Sequence, residues 1–172
     1  MTKPGIILAV CFILFTGKVF PQEKIGYVDS KVILDGMQDA KDAQANLDNV
    51  VQQWKKDLQS YNDSLTSVKT DYEKKKLILT DKVRLEREDQ IKNLDKKIAD
   101  YKLQKFGENG EYFQKQNELM KPVQDKVFKA IQDVAKEGGY DFVFDRSSEI
   151  TLLFMNDKYD LTSKVIKKLE TP

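Results

Sequence analysis

The chain has no histidine and one cysteine, Cys11. Imidazole acid/base chemistry, Ser-His-Asp triads, Cys-His pairs and zinc sites built from His or Cys are therefore excluded. The residues most like a catalytic pair are Asp141 and Asp145, two carboxylates flanking an apolar stretch. No nucleophile or metal partner accompanies them, and strand-end carboxylates are the plainer reading. The phosphate loop G-x-x-x-x-G-K-[ST] is also missing, so nothing offers an ATP site. The residue types thus predict a non-enzyme with no cofactor, no catalytic residue and no metal. A second grouping is Lys74, Lys75 and Lys76 with Lys82, Arg84 and Arg87. It is a candidate for weak contact with anionic membrane lipid. Interleaved Asp81, Glu86 and Glu88 favour a merely solvated surface.

The elements that must position these groups follow from composition. The chain has 172 residues, 33% charged and 40% hydrophobic, with only 8 Gly and 4 Pro. That balance suits long helices and argues against a loop-rich sandwich or a disordered chain. Ile6 to Phe15 is a run of ten residues without a polar side chain. A membrane span needs about 20 apolar residues, whereas ten fit the apolar region of a secretory signal. Residues 1–22 are therefore predicted to direct export and be removed, although no small-residue cleavage site precedes Glu23. Losing Lys3 and Lys18 with that segment takes the net charge from +1 to −1 and leaves no cysteine. A near-neutral chain gives no case for nucleic acid as a partner.

The middle of the chain, residues 37–137, reads as a coiled-coil hairpin arm. Val51, Trp54, Leu58, Tyr61, Leu65, Val68 and Tyr72 recur at alternating steps of three and four, the seam of a coiled coil. A second seam runs through Ile91, Leu94, Ile98 and Tyr101, then Tyr112, Gln116, Leu119, Val123, Val127, Ala130 and Val134. Its two halves are separated by Gly107 and Gly110, and Pro122 lies inside the second half. These three residues are the candidate hinge or kink positions. Thr80 and Asp81 are able to cap a new helix, which places the tip near residues 77–82. One uninterrupted helix in a longer bundle is the alternative.

The ends, residues 23–36 and 138–172, are predicted to form a small β-containing body. Ile25–Asp29 reads as a strand, with Ser30 capping a helix from Lys31. Gly138-Gly139 stops the long helix. Tyr140–Asp145 and Thr151–Met155 read as two more strands, and Asp160–Leu169 as a terminal helix. The expected fold is mainly α, with a three-strand sheet bearing a long antiparallel arm. A body this small is marginal alone, and Leu152 to Met155 is apolar on both strand faces. A homo-oligomer joined through the sheet follows, with Ile25, Tyr27, Phe142, Phe144, Leu152 and Phe154 as candidate interface residues. A monomer whose arm root covers the second face is the alternative.

The order of elements resembles the Skp/OmpH family of periplasmic chaperones. The resemblance rests on Lys24-Ile-Gly-Tyr-Val-Asp-Ser30, on Lys121-Pro-Val-Gln-Asp-Lys-Val127 with Ala130-Ile131, on Glu137-Gly-Gly-Tyr-Asp-Phe-Val-Phe-Asp145, and on Tyr159-Asp-Leu-Thr162. It implies a homotrimer whose three arms enclose a cavity. It also implies an ATP-independent holdase that keeps unfolded outer-membrane β-barrel proteins soluble. Residues 37–137 carry 20 Lys/Arg against 19 Asp/Glu, so the strongly basic arm of the best-known member is not reproduced. Apolar residues off the seams are the candidate client contacts: Leu77, Leu85, Leu103, Phe106 and Phe113. The competing reading is a coiled-coil spacer of the envelope that binds no client.

Overall fold

A computed structural model describes residues 23–148 and 153–171. Strand β1 (Ile25–Val28) leads into a short helix α1 (Ser30–Gly36). Asp29, not Ser30, caps α1: its carboxylate accepts from the Val32 N–H at 3.0 Å, so the helix starts one residue early. Helix α2 (Gln38–Lys75) then runs 38 residues, about 57 Å at 1.5 Å per residue. The chain turns over Lys76–Thr80 and returns as α3 (Asp81–Phe106) and α4 (Glu111–Gly138). Thr80 caps α3 through the Val83 N–H at 3.4 Å.

The return limb is two helices. Between them Asn109 sits at φ 62°, the left-handed region that suits Asn. A Cβ on Gly107 would overlap the Leu103 carbonyl, and one on Gly110 would meet the Gly107 oxygen at 2.9 Å. Both glycines are thus demanded by close backbone approach. Pro122 behaves differently, since α4 runs unbroken through it.

Helix α4 ends at Gly139, which has φ 62° and leaves Tyr140 N–H to bond Ala135 O at 2.9 Å. Strand β2 (Phe142–Asp145) follows, then a 3₁₀ turn (Asp157–Tyr159) and α5 (Thr162–Glu170). β1 and β2 pair in parallel, Ile25 opposite Phe142 through Val28 opposite Asp145. Parallel strands need a crossover, and here the crossover is the whole arm.

The third strand expected over Thr151–Met155 is not seen in the part of that segment that is described. Residues 149–152 lie outside those described, and Leu153–Met155 form no strand. The free side of β1 is taken instead by the approach to α5: Tyr27 bridges Asp160, and the Leu161 N–H donates to Tyr27 O at 2.8 Å. The sheet of the described residues therefore has two strands.

Strand alternation divides the sheet. Val28 faces inward and joins Ile33, Val127, Ala130, Val134, Leu161 and Val165 in the main core. A second cluster of Ala40, Ala43 and Val123 fixes the arm root, where small residues let α2 and α4 approach closely. Farther out burial nearly stops: from residue 48 to residue 97 no side chain is fully buried.

Candidate interaction surfaces

The arm is zipped by pairs that step in opposite directions along α2 and α3. Trp54 meets Phe106 edge-on at 5.9 Å, and Tyr61 meets Tyr101 at 5.3 Å. Lys69 pairs with Asp95 at 3.0 Å, and the Tyr72 hydroxyl donates to Glu88 near the tip. The Tyr101 hydroxyl donates to Asp57 at 3.0 Å. Burial and that carboxylate push its pKa up to about 12. Along α2, four glutamines each donate to the aspartate one turn on: Gln38 to Asp42, Gln44 to Asp48, Gln53 to Asp57 and Gln59 to Asp63. Such pairs support a helix by a few tenths of a kcal/mol each (about 0.2–0.5) and leave its lysines unengaged by them.

The joint between α3 and α4 is bridged by charge. Lys105 donates to Glu111 at 2.5 Å and Gln104 donates to the same carboxylate at 2.8 Å. Hydrogen bonding to Lys105 holds Glu111 below the usual carboxylate range. The same ammonium lies over the Trp54 ring at 5.1 Å and the Tyr101 ring at 5.6 Å. Gly107 and Gly110 thus belong to a break seated against Trp54, while Pro122 lies in a continuous helix nearer the body.

All five candidate client-binding residues are exposed. Leu77, at the tip, is 93% accessible, and Leu85, Leu103, Phe106 and Phe113 follow along the return limb. Leu85 and Leu103 lie about five helical turns apart and so share one face of α3, opposite the seam of Ile91, Leu94 and Ile98. Phe106 and Phe113 straddle the joint, and Phe106 also packs on Trp54. Sequence reasoning missed Ile78 at the tip and Phe128 on α4, both exposed. Phe128 follows a buried seam residue, Val127, and only the helical phase separates the two. At the tip Asp71, Glu73 and Asp81 bond Lys75, Lys76 and Arg84, and the apolar pair Leu77–Ile78 lies in the turn between these ion pairs.

The body presents a second apolar surface. Ile25, Phe142 and Phe144 share the outer sheet face and are exposed, with Phe154 and Tyr159 beside Ile25 and Phe144. Tyr27, on the same strand face, is 5% accessible. Its hydroxyl donates to Asp157 at 3.4 Å, so it packs within the subunit. Leu152 lies outside the described residues. A groove of about 770 Å³ runs between Ile25, Tyr27, Phe144 and the Phe154–Tyr159 segment.

The strand ends carry the polar residues that first suggested chemistry, and here they are structural. Asp145 accepts from the Ser30 N–H at 3.1 Å, the Ser30 hydroxyl at 2.5 Å and the Ser147 N–H at 3.0 Å. Burial raises its pKa, but these donors outweigh burial and hold it low. Asp29 is likewise held low, first by the Val32 N–H and then by Arg146 at 2.8 Å. Asp141 accepts from the Lys24 N–H at 2.7 Å. Among the described residues no acidic group forms a metal cluster, and no helix is long and apolar enough to cross a membrane.

The fold has a counterpart of known structure. The proposed OmpH-like outer membrane chaperone from Caulobacter crescentus CB15 superposes with a TM-score of 0.72. The match covers 91% of this chain and 89% of that one, at 16% identity, which speaks for the fold alone. Among curated proteins none matches. Residues 24–169, from the residue before β1 into the last turn of α5, match the family described as outer membrane protein (OmpH-like). The chain is therefore a member of the OmpH-like outer membrane protein family.

Proposed function

We propose that this protein is an ATP-independent holdase of the periplasm that keeps unfolded outer-membrane β-barrel proteins from aggregating. The observation that carries the reading is the arm: a charged, thinly packed hairpin that leaves Leu77, Ile78, Leu85, Leu103, Phe113 and Phe128 accessible. Family membership supports it, as does the chaperone role proposed for the Caulobacter crescentus relative. Unfolded barrel proteins expose apolar strands that associate edge to edge. Scattered apolar contacts on a flexible arm hold such segments weakly without imposing a fold.

In this reading three subunits join through Ile25, Phe142, Phe144 and Phe154. The arms then surround a space too small for a second client. No catalytic step is involved. The tip, with exposed Leu77 and Ile78 near Lys74 and Lys82, is the part that would touch anionic lipid. The test combines light scattering of the mature chain with dilution of an unfolded β-barrel protein into it. A trimer that takes up one client in a soluble complex is expected. A monomer, or an oligomer beside precipitated client, would leave the spacer reading standing.

A further inference from the structure

The joint between α3 and α4 imposes two demands that together create a chemical liability. Residue 109 must accept φ 62°, which selects Asn or Gly. Residue 110 must lack a Cβ, because one would meet the Gly107 oxygen at 2.9 Å and the Gln104 oxygen at 3.0 Å. The sequence answers with Asn109-Gly110, the single Asn-Gly pair in the chain. We propose that Asn109 is a deamidation site, and that opening of the arm joint sets the rate at which it is modified.

The reaction needs only water. The Gly110 backbone nitrogen attacks the Asn109 side-chain carbonyl carbon, and the new C–N bond closes a succinimide. The bond to Nδ2 breaks, and Nδ2 leaves as ammonia with the proton from the Gly110 amide. Water then opens the ring to Asp or isoAsp. Attack is favoured because nucleophile and carbonyl are held in one short segment. A glycine after the asparagine leaves the nitrogen unshielded by any side chain.

In the closed joint that nitrogen is occupied. The Gly110 N–H donates to Gly107 O at 2.8 Å, and Gly110 is buried while Asn109 is exposed. The attack therefore waits for local opening, which the Lys105–Glu111 bridge and the Trp54 seat oppose. The product carries a new carboxylate between Glu108 and Glu111 in the sequence, adding negative charge to the segment that the Lys105–Glu111 bridge closes. An isoAsp also lengthens the backbone at the joint. Modification is thus expected to loosen the joint that delayed it.

Tryptic cleavage after Lys105 and Lys115 isolates residues 106–115, which contain no other asparagine. The full mature chain is incubated at mildly alkaline pH, folded or in concentrated urea, and fragment masses locate the replacement of NH₂ by OH. Residue 109 should convert ahead of every other asparagine, roughly tenfold or more slowly when folded, as expected of an opening-limited site. Glu111→Gln should raise the folded rate, and Asn109→Gly, which keeps the left-handed conformation, should abolish the shift. Conversion of another asparagine first would overturn the site assignment. Equal rates in native and unfolded chains, or no response to Glu111→Gln, would overturn control by the joint.

Discussion

The body and the arm of this protein are built by opposite rules. In the body, residues far apart in sequence are stitched by specific bonds: Asp145 to Ser30, Arg146 to Asp29, Asp29 N–H to Thr162 and Lys24 N–H to Asp141. Leu161, Ile33 and Val165 are wholly shielded from solvent. In the arm, apart from a few cross-helix pairs, support is local, as from Gln44 to Asp48, Gln59 to Asp63 and Lys75 to Asp71, each one turn apart. The comparison teaches where uniqueness is needed. A seam of half-buried residues holds two helices together yet tolerates sliding, whereas a closed core fixes one arrangement.

The largest effect expected from this contrast is in the core. Leu161→Ala should cost about 2–5 kcal/mol and lower the thermal midpoint of the body. The equivalent truncation of Leu85 on the arm should change stability by less than about 0.5 kcal/mol. Comparable losses at both sites would erase the distinction. Next in size is Gly26→Ala, whose new Cβ would meet Leu161 Cδ1 at 2.8 Å and the Tyr140 ring at 3.0 Å. Overpacking there should cost about 1–3 kcal/mol in a denaturant melt.

Acid should separate the two regions by another route. Asp29 and Asp145 are held below the ordinary carboxylate value in the folded body. Their contribution is present above the unfolded carboxylate pKa, about 4, and is lost as pH falls through the lower folded values. The body melt should therefore weaken in that acid window, and Asp145→Asn should flatten the dependence. Unchanged pH dependence in that variant would remove Asp145 from the account. An effect on stability nearly as small as that of Leu85 alone should come from Leu85, Leu103 and Phe128 changed together to Ala. The melt should hardly move while suppression of client aggregation falls several-fold. Loss of fold together with capture would make these residues packing groups instead.

Much of the arm was legible from the chain alone, because a seam at steps of three and four reports helical pairing directly. The tip was legible through the Thr80 cap, although no Gly or Pro marks it. The break at Gly107–Gly110 was legible as a disturbance but not as two separate helices, since a break depends on backbone approach that residue types only hint at. The body was less readable. Apolar character in Leu153–Met155 suggested a strand, but pairing depends on a free edge, and Asp160 takes the one beside β1. Tyr27 shares a face with Phe144, and only the 157–159 segment decides that it is buried. Of the exposed apolar residues, Ile78 and Phe128 escaped notice because accessibility depends on helical phase and on what the partner helix covers.

The parallel pairing of β1 with β2 has a consequence for how the molecule is made. Its first strand is synthesised early and waits unpaired until β2 arrives more than a hundred residues later. The intervening hairpin has mostly local contacts and so should form early, bringing the two ends together before they pair. Loop-closure entropy rises only slowly with chain length, and a preformed hairpin spares most of it. The core also needs Leu161 and Val165 from the last segment. A chain interrupted before its last segment therefore holds an arm without a root, and closure of the body waits for the final helix.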